Sequence, residues 1–207
     1  MTGKVKIAVL VSGGGTNLQA LLDAEKSGVL RSGKISLVIS NKPGAYALQR
    51  AQAAGVKTAV VNKKECLSQA EFEARIVSLI EENGVELIIL AGFMCILSEN
   101  FTRRYEKRIL NVHPSLIPSF CGEGMYGLRV HEAALAKGVK VTGATVHFVN
   151  EIPDGGEILL QKAVDVLPGD TPETLQRRVM EQAEWLLLPR AAELVSESLL
   201  KGRNREE

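Results

Sequence analysis

The hydrophobic positions fall into short continuous runs separated by amphipathic stretches. Residues 5–11, 35–40, 58–61, 87–91 and 109–112 are brief, rich in Val, Ile and Leu, and predict buried strands. Between them the period changes. Leu18, Leu21 and Leu22 at i, i+3 and i+4 predict a helix that stops at Gly28. A second helix is expected over 45–54, ended by Gly55. A third is expected over 69–83, with Phe72, Ile76, Leu79 and Ile80 on one face and Gly84 after it. Strands alternating with helices imply a parallel sheet covered on both faces. Ligands of such sheets sit at the carboxyl ends of the strands, which directs attention to the residues after Val11, Ala91 and Val112.

The second half has a different rhythm. Residues 139–148 and 157–166 read as two strands around Asp154-Gly155-Gly156, a turn signal, and predict an antiparallel element. Thr171 is placed to cap a final helix with Pro172 at its first position, and that helix is expected to reach Leu200. A helix including Ala133, Ala134 and Leu135 is expected to begin at His131. The fold class is therefore α/β, a three-layer, mostly parallel twisted sheet with a Rossmann-like N-terminal half. Residues 1–200 are expected to form one domain, and 201–207 a frayed polar tail.

Composition narrows the functions. A net charge of +1 over 207 residues leaves no basic footprint for nucleic acid or an anionic membrane. No apolar run approaches the roughly 18–20 residues of a membrane span, and no secretory signal is legible, so a cytoplasmic protein is expected. Cys66, Cys95 and Cys121 lack CxxC spacing, and the histidines lack H-x-x-x-H spacing, so no metal site is expected.

Two segments carry candidate chemistry. Ser12-Gly13-Gly14-Gly15-Thr16-Asn17 joins a strand to a helix, where close backbone approach and free N–H groups suit an anion. It is not a dinucleotide fingerprint, since the last glycine would fall at Leu18, and no Gly-Lys-Ser/Thr follows. A phosphate monoester fits better; an unliganded tight turn is the alternative. In the second segment, Asn111 and His113 lie two apart in a strand and face the same way. An amide N–H beside an imidazolium N–H suits a developing oxyanion. Asp154 could hold the histidine protonated, but Asp-Gly is also an ordinary hairpin turn. Thr145 and His147 share one strand face, and His131 either lines the site or flanks a helix start.

Taken in order, the Gly-rich loop with Thr16-Asn17-Leu18-Gln19, Leu90-Ala91-Gly92-Phe93-Met94, Asn111-Val112-His113-Pro114-Ser115, the run 141–149 and Asp154-Gly155-Gly156 resemble the phosphoribosylglycinamide formyltransferases. The resemblance covers nearly the whole chain. It implies the formyltransferase fold and transfer of a formyl group from 10-formyltetrahydrofolate, as co-substrate, to the amine of 5-phosphoribosylglycinamide. It implies that Asn111 and His113 stabilise the oxyanion and that Asp154 moves protons through a water ordered by Thr145 and His147, with Ser115 and His131 in support. It assigns the substrate to Gly15, Thr16, Asn17 and Glu184. It assigns the folate to Met94, Cys95, Ile96, Leu97, Asn111, Asn150, Glu151, Ile152, Pro153 and Asp154. Partners are then small molecules, with a monomer or homodimer expected. Many relatives carry Arg where Cys95 stands and a basic residue where Gln69 stands, so either other basic residues such as Arg103 or Arg104 serve the folate's outer carboxylate or the folate binds more weakly. The glycine-rich segment 121–130 is expected to form a flap. The alternatives are a 10-formyltetrahydrofolate hydrolase and a non-catalytic module that binds phosphate esters.

Overall fold

The computed structural model describes residues 3–206. Seven strands form one sheet in the order β3-β2-β1-β4-β5-β6-β7. These are β1 (Val5–Val11), β2 (Gly33–Ser40), β3 (Lys57–Val60), β4 (Leu87–Leu90), β5 (Ile109–His113), β6 (Val141–Phe148) and β7 (Ile158–Asp165). The first five pair in parallel; β5–β6 and β6–β7 are antiparallel. The mostly parallel α/β sheet with a C-terminal antiparallel element matches the sequence expectation.

The alternation of β1 shows why there are three layers. Val5, Ile7, Val9 and Val11 enter one core with helices α1 (Thr16–Ser27), α2 (Tyr46–Ala53), α6 (Pro172–Val179) and α7 (Trp185–Glu206). Ala8 and Leu10 enter the other, under α3 (Gln69–Glu82) and α4 (Glu99–Arg104). A strand buried on both faces has no polar side, so β1 is apolar from Ile7 to Val11, with Lys6 exposed only near its start. Each fully buried Leu or Ile contributes roughly 1.5–3 kcal/mol, so both faces anchor the strand ends that bear the site.

Four expectations need correction. Helix α5 is Leu128–Lys137, so His131 lies inside its first turns and is completely buried. Gly127 supplies the chain reversal ahead of it. The last helix is not continuous: a π-helical turn, Met180–Glu184, separates α6 from α7. The expected start is met, with Thr171 and Thr174 forming a reciprocal cap and Pro172 following. The polar tail is helical as far as Glu206, because Arg203 donates to the Gly3 carbonyl at 3.0 Å and pairs with Glu86. Helix α4 was not anticipated from its short apolar spacing; Ser98 caps it by accepting from the Phe101 N–H. Among the described residues no helix is long and apolar enough to cross a membrane.

Candidate active site

The sheet brings the expected residues together at the ends of β1, β4 and β5. Antiparallel register sets Asn111 opposite His147 and His113 opposite Thr145. Asp154 reaches the same place from the loop after β6. It holds a left-handed backbone (φ 55°), a conformation that costs a non-glycine residue of order 1 kcal/mol and that surrounding contacts must offset. Gly156 permits the loop's close return, since any Cβ there would collide with the Phe148 carbonyl.

The carboxylate of Asp154 sits among donors. One oxygen accepts from the Gly122 N–H at 2.9 Å and lies 3.4 Å from His113 Nδ1. The other lies 3.4 Å from Asn111 Nδ2 and 3.6 Å from His147 Nε2. Burial alone would push this carboxyl up. His147, the Gly122 N–H and the charges of His113 and His147 outweigh burial and hold it below its ordinary value. The histidines are oriented from behind. A carbonyl can only accept, so His113 donates from Nε2 to Phe120 O (2.8 Å) and His147 donates from Nδ1 to Phe148 O (2.9 Å). His147 Nε2 then faces Asn111 Nδ2 at 3.2 Å.

His131 is brought near but differently. Among the described residues neither ring nitrogen has a hydrogen-bond partner, and burial, followed by the charge of His113, depresses it to about 4. It is therefore neutral at physiological pH. Thr145 on β6 and Ser115 in the loop after β5 are fully buried: Thr145 donates to Ser115 O (2.7 Å), and Ser115 donates to Ser119 O (2.5 Å). Thr145 also accepts from Ile117 N and Gln161 Nε2, so its hydroxyl is fully engaged in shaping that loop.

A cavity of about 130 Å³ opens beside the cluster. Cys95, Ile96, Leu97, Asn111, Asn150, Glu151, Ile152, Pro153 and Asp154 line it, joined by Leu90, Phe93, His147 and Val149. Met94 is not part of that lining; it is exposed, as are Ile96 and Ile152. The wall is fixed by Glu73, which accepts from Ser98 N, Ser98 Oγ and Gln69 Nε2, while Gln69 also donates to Ile96 O. Gln69 is thus a structural tie of the cavity wall. Cys95 accepts from Asn41 Nδ2 at 3.0 Å. Arg103 and Arg104 do not border the cavity; they pair with Glu99 and Glu81.

The phosphate-loop candidate follows β1. Gly15 adopts φ 74° as the residue before α1, and a Cβ there would lie 2.6 Å from that of Ala47, so both backbone and packing require glycine. Arg50 braces the loop, donating from Nε to Gly14 O at 2.9 Å; sequence reasoning missed it because it sits 36 residues away. Asn17 does not present its amide outward. Its Nδ2 donates to Glu184 Oε2 at 2.7 Å, and Glu184 is carried there by the π-helical turn. Burial pushes Glu184 up to about 7, against the single bond from Asn17. A larger groove of about 500 Å³ runs between α1 and α7, touching the loop at Thr16.

A family model described as formyl transferase matches residues 5–191. The phosphoribosylglycinamide formyltransferase of Haemophilus influenzae is 43% identical over 97% of this chain and 89% of its own length. The trifunctional purine biosynthetic protein adenosine-3 of Gallus gallus is 49% identical over 94% of this chain, which spans only 19% of that protein. Among solved structures, glycinamide ribonucleotide transformylase 1 from Symbiobacterium toebii superposes with a TM-score of 0.89. It is 41% identical, covering 96% of this chain and 90% of that one. The phosphoribosylglycinamide formyltransferase of Brucella melitensis gives 0.86 at 40% identity, over 94% and 96% of the two chains.

Proposed function

The chain belongs to the formyl transferase family, and from that premise we propose that it moves the formyl group of 10-formyltetrahydrofolate to the primary amine of 5-phosphoribosylglycinamide in purine biosynthesis. The observation that carries this reading is the convergence of Asn111, His113, His147 and Asp154 beside a cavity that Asn111, His147 and Asp154 themselves line.

The amine attacks the formyl carbon, and its oxygen becomes an oxyanion. Asn111 Nδ2 has two hydrogens and lies 3.4 Å from Asp154 Oδ1, long enough to turn one towards the oxyanion. The 3.4 Å separation of His113 Nδ1 from Asp154 is likewise longer than the roughly 2.7–2.9 Å of a charge-assisted bond. A protonated His113 can therefore redirect Nδ1–H to the oxyanion while Phe120 O holds the opposite nitrogen. Ionised Asp154 accepts the proton that the amine must lose and passes it to folate N10, and the oxyanion then collapses, breaking the bond from the formyl carbon to N10 and releasing tetrahydrofolate. General acid–base transfer of this kind contributes about 10²- to 10⁴-fold.

The cavity is smaller than the roughly 300–1,000 Å³ of common ligand pockets, so only the flat head of the folate enters it. The remainder lies along exposed Met94, Ile96 and Ile152. The N-terminus of α1 and the backbone of Gly15 and Thr16 receive the substrate phosphate. Asn17 and Glu184 act as one hydrogen-bonded unit towards the ribose or glycinamide end. A cytoplasmic monomer or homodimer goes with this reading.

The direct test supplies 10-formyltetrahydrofolate with and without 5-phosphoribosylglycinamide. Amine-dependent production of tetrahydrofolate and formylated product is expected. Formate release at the same rate without the amine would show a hydrolase and overturn the reading; phosphate-ester binding with no turnover would show a binding module.

A further inference from the structure

We propose that Gln161 is a positioning residue for the catalytic cluster, resting on the function proposed above. The register of the antiparallel strands places it. His113 on β5 is paired with Thr145 on β6, and Thr145 is paired with Gln161 on β7. Directly paired residues point to the same side of a sheet, so the three form one row that begins at the catalytic histidine and ends at Gln161.

The loop after β5 folds back along this row. From its end, the Gln161 amide donates at 3.0 Å to the Ile117 carbonyl and at 3.0 Å to Thr145 Oγ1. Thr145 completes the pin by donating to Ser115 O and accepting from Ile117 N. A few residues on, the same loop delivers two groups to the cluster: Phe120 O accepts from His113 Nε2, and Gly122 N donates to Asp154. Phe120 holds a left-handed backbone conformation (φ 51°) that costs a residue with a side chain, and Gly122 (φ 89°) is free to adopt many others, so these groups keep their aim only while the loop is restrained from outside. Gln161 is exposed and outside the cavity lining, so it acts through the loop rather than on substrate. A side-chain amide is suited to this position because its NH₂ has two donors, one for each acceptor.

The test compares Gln161→Ala and Gln161→Glu with the parent protein. The glutamate has the same shape but cannot donate when ionised. Both variants are expected to lose about ten- to a hundredfold in kcat with KM changed less than about twofold, the mark of misplaced reacting groups. The acid limb of the rate moves to higher pH, because Asp154 loses the aim of the Gly122 N–H. A second readout needs no activity: amide hydrogen exchange of Gly122 accelerates in both variants while that of the β1 core is unchanged. Unaltered Gly122 exchange, or parental kcat in Gln161→Glu at neutral pH, would overturn the proposal. So would accelerated exchange throughout the sheet, which would mark a merely structural role. Because exchange is read without substrate, absence of formyl transfer in the parent protein would sink the proposed function separately.

Discussion

Asp154 and Glu184 are both carboxyl groups of the candidate site, the first half-buried and the second buried, and their surroundings drive them in opposite directions. Asp154 lies where a loop meets strands β5 and β6, and the Gly122 N–H, His147, His113 and Asn111 all approach it. It is held below its ordinary value despite burial. Glu184 lies in a π-helical turn with one amide, Asn17, as its partner, and burial pushes it up to about 7. Asp154 has more donors and is less deeply buried than Glu184, and both differences favour its charged form. The antiparallel region holds its carboxyl ionised, the state that the proposed proton acceptor needs. The phosphate-loop region holds one that is half protonated near neutrality.

The consequences for stability have opposite signs. Asp154, depressed below 3.8, contributes stability above that value and loses it as pH falls. Glu184, raised from 4.5 to about 7, binds more protons folded than unfolded across that interval. It therefore costs nothing below 4.5, and its penalty grows until pH 7, where it is complete.

The sharpest break of this contrast is Asp154→Asn, which should lower kcat by about 10²- to 10⁴-fold in steady-state assays. A loss under tenfold would remove Asp154 from proton transfer. His113→Ala follows, with an expected loss of about 10²- to 10³-fold, comparable to removal of an oxyanion donor. Equal kcat in this variant would assign the oxyanion to Asn111 alone. Glu184→Gln should raise KM for the phosphorylated amine about tenfold, the price of one polar contact of roughly 1.4 kcal/mol. The same variant should gain on the order of 1–3 kcal/mol at pH 8, with the gain disappearing at pH 4, as read by denaturant unfolding. A pH-independent difference would show that folding leaves the Glu184 carboxyl unshifted. The smallest effect belongs to Arg103→Ala. Its guanidinium pairs with Glu99 and lies outside the cavity, so KM for the folate should stay within about twofold.

Much of the fold was legible because its signals are local. The apolar runs of β1 and β4, the i, i+3, i+4 spacing of α1 and the Thr171-Pro172 helix start each involve contacts within a few residues. The pairing of Asn111 with His113 was legible for the same reason, since strand geometry puts residues two apart on one face. The missed features have remote causes. Arg203 meets Gly3 across 200 positions, so nothing local told helix from frayed tail. Glu73 and Gln69 sit on α3 but shape the cavity wall near Ile96 and Ser98. Leu128 starts α5 earlier than the alanine-rich pattern suggested, which turns His131 from a flanking residue into a buried one.

By itself, the sequence determined the class of fold, the places where strands end and the Asn111–His113 pair, because backbone periodicity and capping are properties of neighbouring residues. Family resemblance added the expected role of Asp154. Only the tertiary structure decided that Asp154 is surrounded by donors while Glu184 has one, that Asn17 faces Glu184, and that Gln161 and Arg50 brace the two loops. Strand order and antiparallel register join segments tens of residues apart, and the protonation of a buried carboxyl depends on which donors that assembly delivers to it.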